Sequence, residues 1–284
     1  MIKISNVKYP LEKEINEDNL KNITSKILKT NINNIIKIKI AKKSIDAREK
    51  KGGFYVLALD VEIKDEKKYL KIKDVSKIEP FVYNIPKKQH NKNPIIIGFG
   101  PAGLMAGLIL ARAGLKPIII ERGKSVDKRK KDIDTFWKNG KLDENSNVQF
   151  GEGGAGTFSD GKLTTGIKDY RCRVLLEEFV KASAPEEILY TAKPHIGTDK
   201  LITMVKNIRE EIISLGGLVL FEHKMVDLLT ENNTITGITV ENLENNNIFN
   251  IETDNVILAI GHSARDTFEL INNKNHPIEK KPFA

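Results

Sequence analysis

Apolar and polar positions alternate near the start of the chain. Ile36, Ile38 and Ile40 are separated by Lys37 and Lys39, the two-residue period of a strand with one buried face. Ile2–Ser5 and Phe54–Ile63 read as further strands, with Lys51, Gly52 and Gly53 as the turn before the second. Asn19–Leu28 places Leu20, Ile23 and Ile27 on one side and predicts a helix. Pro80, Pro86 and Pro94 then punctuate an extended linker over Glu79–Pro94.

Beyond the linker the period changes. Pro94–Ile97 is a short apolar run, followed by a helix over Pro101–Ala113 and a strand over Pro117–Glu121. Val126, Ile133 and Trp137 predict a helix over Val126–Trp137, and another is expected over Arg171–Ser183. Leu201, Ile202, Val205, Ile208, Ile212 and Leu215 make Asp199–Leu215 strongly amphipathic, with Thr198 or Asp199 as N-cap and Gly216 as C-cap. Five strands are expected next, over 218–222, 225–229, 235–240, 248–251 and 256–260, then a helix over Ala264–Ile271. Asn245, Asn246 and Asn247 read as a hairpin turn. The expected division is a small α+β domain of ferredoxin-like type over 1–90 and an α/β domain over 91–284.

Composition narrows the possibilities. The 284 residues leave room for about two domains. One cysteine, Cys172, excludes an intramolecular disulfide, a cysteine-based zinc site and a paired-thiol relay. It stands between Arg171 and Arg173 at a predicted helix start, and a lone structural thiol is the reading preferred over a reactive one. No apolar run of about 18 residues is present, so no membrane span is expected. MIKISNVKYPLEKE lacks the apolar core of a signal peptide, and a cytoplasmic protein is expected. The net charge of +8 is uneven: residues 1–90 hold 21 Lys/Arg against 12 Asp/Glu, a balance of +9. That excess fits either a surface for a polyanion or a lysine-solvated small domain. Aromatic residues are not interleaved with the lysines, so nucleic acid is not the expected partner.

The chemistry concentrates at Gly98-Phe99-Gly100-Pro101-Ala102-Gly103, which leaves a predicted strand and opens a predicted helix. Gly98 permits the tight turn, Gly100 lets a pyrophosphate approach the backbone, and Gly103 lets the helix lie close to the strand. Pro101 fits the first helical turn, whose free N–H groups favour an anion. Glu121, at the end of the second strand, is placed to accept both ribose hydroxyls, and its charge opposes a 2′-phosphate. Gly107, Gly114 and the Arg122-Gly123 pair make the arrangement resemble the flavoprotein form of the fingerprint, and Thr253–Gly261, an apolar strand ending in glycine, resembles the second motif of FAD families. The strands between 218 and 252 then read as an inserted β-meander. Phe150–Leu163 holds five glycines in the eleven residues from Gly151, dense enough to follow a ligand closely. Asp160 and Lys162 read as caps of that loop.

SNVQFGEGGAGTFSDGKL, with GFGPAG, KPHIGTDKL, AIGHSARDTFE and the Ser44–Arg48 stretch, resembles a bacterial family of FAD-dependent oxidoreductases, the NAD(FAD)-utilising dehydrogenases. The resemblance covers nearly the whole chain. It implies a Rossmann-like FAD/NAD(P)-binding domain with a β-meander insertion, behind a ferredoxin-like domain. It implies that Gly98, Gly100, Pro101, Ala102, Gly103, Glu121 and Arg122 hold the AMP half of FAD. It places Gly153, Gly154, Ala155, Gly156, Thr157 and Ser159 near the pyrophosphate and flavin, the Val226 backbone at the adenine, and Gly261 and His262 at the closing edge. The expected activity is hydride transfer through bound FAD to an unidentified small-molecule substrate, with NAD(P)H as candidate electron donor and no metal. The alternatives are a nucleic-acid-associated flavoprotein and a non-catalytic dinucleotide-binding protein. His195 and His262 are the candidate acid–base residues, each with a structural alternative as a loop or contact histidine. Family members look considerably longer, and no Gly-Asp dipeptide occurs here. The expectation is therefore a chain cut before the segment that completes the FAD domain, with a separate C-terminal half as candidate partner.

Overall fold

A computed structural model describes residues 1–48, 52–79, 81–159 and 161–280. Among them the chain runs β1 (Ile2–Pro10), α1 (Glu17–Leu28), β2 (Ile35–Asp46), β3 (Phe54–Ile63), β4 (Val75–Lys77), β5 (Ile95–Ile97), α2 (Pro101–Arg112), β6 (Ile118–Glu121), α3 (Val126–Asn139), α4 (Tyr170–Lys181), α5 (Thr198–Ser214), β7 (Leu218–Phe221), β8 (His223–Glu231), β9 (Thr234–Asn242), β10 (Ile248–Glu252), β11 (Val256–Leu258) and α6 (Arg265–Asn273).

The N-terminal unit comprises Met1–Tyr83, Lys162–Val180 and Pro185–His195. Its antiparallel sheet has the order β2-β3-β1-β4. That is the ferredoxin-like order, with the second helix reduced to a 3-10 turn at Glu66–Tyr69. Asn16 caps α1 by accepting from the Asn19 N–H, and α1 buries Leu20, Thr24 and Leu28. Ile2, Ile4, Leu57, Leu59 and Val61 fill the core opposite. β1 extends past the predicted Ser5. A register shift between Ile4 and Val7, with Asn6 at φ 58, returns Val7 and Tyr9 to the buried face. A second shift between Ile40 and Lys42 carries β2 past Ala41. β4 was not anticipated, because three edge residues carry no readable period. The predicted turn residue Lys51 lies outside the described residues.

This unit does not follow a single cut near residue 91. The Lys43 N–H donates to the Tyr190 carbonyl at 2.6 Å and the Ala192 N–H to the Lys43 carbonyl at 3.0 Å. A segment far along the chain thus returns to pair with the outer edge of β2.

The second unit comprises Asn84–Gly161, Lys181–Ala184 and Ile196–Ala284. Its parallel sheet has the order β11-β5-β6-β7, and β8, β9 and β10 form a separate antiparallel meander. The apolar runs of β5 and β6 reflect cover on both faces. Ile95, Ile97 and Ile120 pack with Met225, Leu228, Ile238 and Val240 of the meander and Ile271 of α6. On the opposite face, a Cβ at Gly107 of α2 would meet Ile119 at 2.7 Å and Ile212 of α5 at 3.1 Å. The architecture is α/β and Rossmann-like, with the meander inserted before the last strand.

Three local expectations are corrected. Trp137 is 72% exposed, since α3 outlasts the core that holds Val126 and Ile133. Gly197 takes the N-cap of α5 without a side-chain bond, while the Thr198 hydroxyl donates to the Ser159 carbonyl. Leu215 caps the other end, and Gly216 follows at φ +92. The strand predicted over 256–260 stops at Leu258, an edge strand bonded to β5 alone.

Candidate functional site

The carboxyl ends of β5 and β6 open on a cavity of about 700 Å³. Gly98, at φ +96, makes the exit from β5, and a Cβ there would meet the Ala259 carbonyl at 2.5 Å. A Cβ at Gly103 would lie 1.9 Å from the Gly98 carbonyl, so this residue sets how closely α2 lies on the strand. Gly100 differs: a Cβ would meet only the Gly154 Cα, at 3.8 Å. Gly100 is also the N-cap of α2, with no side-chain cap and Pro101 behind it. The first-turn N–H groups of such a helix lack intrahelical partners and face an anion favourably.

Gly98, Gly100, Pro101 and Ala102 line this cavity with Glu121, the last residue of β6, and Arg122 just after it. Gln149, Phe150, Gly151, Gly154 and Ala155 contribute from the glycine loop, and Gly261, His262 and Ser263 from the chain after β11. Most of the residues implied by the resemblance therefore meet in one place. Others do not line it. The Gly153 N–H donates to the Phe99 carbonyl at 2.8 Å, and Thr157 is buried behind the loop. Gly156 and Ser159 face outward. Val226 sits at a register shift between Met225 and Asp227, and its neighbours His223, Lys224 and Met225 reach the cavity. Asp160 lies outside the described residues. His195 is exposed, forms an isolated bridge with Lys162, and lines a different concavity, in the N-terminal unit. Cys172 is partly exposed and unbridged.

Glu121 departs most from expectation. It is 4% exposed, and both oxygens already accept backbone N–H groups. Oε2 accepts from Phe99 at 2.7 Å, and Oε1 accepts from Gly123 at 2.8 Å and Gly151 at 3.1 Å. The carboxylate thus ties the fingerprint turn to the glycine loop. Arg122 reaches the other way, donating to Asp266 at 3.0 Å and Thr267 at 3.1 Å on α6 while its guanidinium stands 4.7 Å from the centre of the Phe150 ring. Partial burial pushes the Asp266 carboxyl up, but hydrogen bonds from Arg122 and Lys224 outweigh it and hold the group well below the ordinary carboxylate range.

Sequence reasoning missed the support beneath the loop. Arg129 of α3 is fully buried. Its guanidinium donates to the carbonyls of Asn147 (2.8 Å), Val148 (2.8 Å), Glu152 (2.7 Å) and Gly151 (3.3 Å). Burial pushes Arg129 down to about 10, against the pull of Glu121 and Glu152. Glu152, also fully buried, accepts from the Val126 N–H at 2.7 Å and from Arg209 of α5 at 2.6 Å. Burial raises its pKa, opposed by the Val126 N–H and Arg209. One signal was available: Arg129 lies on the same helix face as Val126 and Ile133.

A parallel sheet whose first crossover begins with a glycine turn, backed by a glycine loop over the helix start, defines a dinucleotide-binding domain. Residues 93–131 and 171–278 match two families, each described as an FAD binding domain, and residues 1–62 match a domain of unknown function (DUF8436). Both matches are to FAD-binding families, and they support FAD as the cofactor. An uncharacterized protein of Clostridium beijerinckii is 43% identical over 291 residues; the match takes in 100% of this chain and 53% of the relative. The chain spans about half the length of the curated relative it matches. Among solved structures, THI4 of Thermovibrio ammonificans is similar with a TM-score of 0.44 at 18% identity, covering 66% of this chain and 64% of that one. The glycerol-3-phosphate dehydrogenase of Bacillus halodurans, solved with FAD, gives a TM-score of 0.37 at 12% identity, covering 62% and 35%. Among the described residues no helix is long and apolar enough to cross a membrane, and no group of three or more His, Cys, Asp or Glu is placed to hold a metal.

Proposed function

We propose that the chain is the FAD-holding part of a flavoprotein oxidoreductase that moves hydride through the bound cofactor, with NAD(P)H as electron donor. The observation that carries this reading is the cavity at the ends of β5 and β6, where the fingerprint turn, Glu121 and the glycine loop converge. The residues fit the cofactor. Gly100 faces Gly154 across a space that a side chain would occupy, and the uncapped start of α2 would receive the pyrophosphate. Oε2 of Glu121 accepts a single backbone bond and keeps a lone pair for a ribose hydroxyl. Lys224 and Met225, beside the Val226 bulge, border the space for the adenine. The flavin supplies the redox chemistry when bound. The protein's part would be to hold and orient it, with His262 a contact at the rim rather than a proton donor.

The test is the visible spectrum of the purified chain after incubation with FAD. A flavin spectrum retained through gel filtration, with NADH or NADPH bleaching it, is expected. A folded chain that takes up no FAD at micromolar concentration overturns the proposal, and uptake without bleaching by either nucleotide removes its donor half.

A further inference from the structure

We propose that the concavity of about 610 Å³ in the N-terminal unit is a second binding site, for a small organic anion with a phosphate or carboxylate head and an apolar body. It forms where residues 187–195 return to β2. Its walls are fixed by main-chain bonds: Lys43 to Tyr190, Ala192 to Lys43, and Leu163 to the Pro194 carbonyl at 2.9 Å.

Three cationic or titratable donors line it: Lys43, Lys193 and His195. Lys43 is partly buried, with its Nζ 4.5 Å from the centre of the Tyr55 ring. Among the described residues no carboxylate forms an ion pair with any of the three. Glu187 is the single acid on the wall. Cations that outnumber the one acid in a concave wall focus a positive potential there, and the +9 balance of residues 1–90 adds to it. The Tyr55 ring and Ile45, 65% exposed, supply an apolar surface beside the charges. A flat apolar body against the ring, with its anionic head between the lysines, satisfies both.

The experiment is calorimetric titration of the full chain, saturated with FAD so that the dinucleotide cavity does not compete. The probes are phenyl phosphate, benzoate and, as the uncharged control, benzyl alcohol. At least one anion is expected to bind, and the stronger of the two identifies the head group. Lys43→Gln and Lys193→Gln should each weaken it about tenfold, the loss of one charge-assisted bond, and Glu187→Gln should tighten it. Lys193→Gln lies in an irregular segment and leaves the main-chain bonds of the wall in place, so it keeps the test informative if Lys43→Gln unfolds the edge. Silence from both anions at millimolar concentration overturns the proposal. So does equal binding of benzyl alcohol, or anion binding that Lys193→Gln leaves unchanged.

Discussion

Replacing Arg129 with Met removes a buried guanidinium while keeping most of its volume. The carbonyls of Asn147, Val148 and Glu152 then lose their donor inside the protein, while that of Gly151 keeps the Gly154 N–H. Hydrogen bonds from a charged group are worth about 1.5–3 kcal/mol each, so the three bonds at 2.7–2.8 Å set a gross loss of about 4.5–9 kcal/mol. Relaxation of the loop and entry of water recover part of it, and the expected net loss is about 3–5 kcal/mol, the range for breaking a buried charged network. Trp137, the one tryptophan, is 72% exposed and would report poorly. The better assays are amide exchange over residues 147–152 and FAD affinity, since Gln149, Phe150 and Gly151 line the cavity. Exchange should accelerate there, and FAD should bind at least tenfold more weakly, through a loop that is no longer held in shape. Arg129→Lys should recover little, because one ammonium lacks the fork that spans carbonyls on several sides. Unchanged exchange and unchanged FAD affinity in Arg129→Met would refute the reasoning, and full rescue by lysine would refute the role of the fork.

Gly100→Ala and Gly103→Ala should separate binding from folding. The first has φ −73 and open space, so its melting temperature should hold while FAD affinity falls; the second collides with the Gly98 carbonyl and should lose stability outright, both read by thermal melts with and without FAD. Arg209→Met should cost about 3–5 kcal/mol by stranding the buried Glu152 carboxylate, and Glu152→Gln added to it should return part of that loss in a double-mutant cycle of urea unfolding. Asp266 has a depressed folded pKa, so its contribution is complete above the unfolded value of about 3.9 and disappears as pH falls through the folded value. The wild-type chain should therefore lose more melting temperature than Asp266→Asn between about pH 5 and pH 2, and equal slopes would count against the Arg122–Asp266–Lys224 cluster.

The parts that sequence made legible are those whose requirements are local. Gly98, Gly100 and Gly103 declare a turn, a close approach and a helix contact within six residues, and the isoleucine runs of β5 and β6 declare burial on both faces. The support beneath the glycine loop was not legible in the same way. Val126-Asp127-Lys128-Arg129-Lys130-Lys131 reads as a solvated charged run, and only the chain wrapping over it makes Arg129 a core residue. Glu121 lines the cavity, but its partners Gly123 and Gly151 have no signature in the sequence, because a carboxylate accepts backbone donors as readily as hydroxyls. The return of residues 187–192 to β2 leaves no periodic trace at all, since it is a short pairing of backbone groups.

That return carries a consequence for how the chain is made. On a ribosome, β1 to β4 emerge early, yet the outer edge of β2 at Lys43 has no mate until Ala192 has been synthesised. Through that interval the nascent chain exposes an open sheet edge, the surface on which strands of neighbouring chains aggregate. Lys37, Lys39, Lys42 and Lys43 stand along that strand. Charge of one sign on an open edge repels a second copy of itself. Four of the lysines in the basic first third thus stand on the edge that stays open longest during translation, before any ligand is bound.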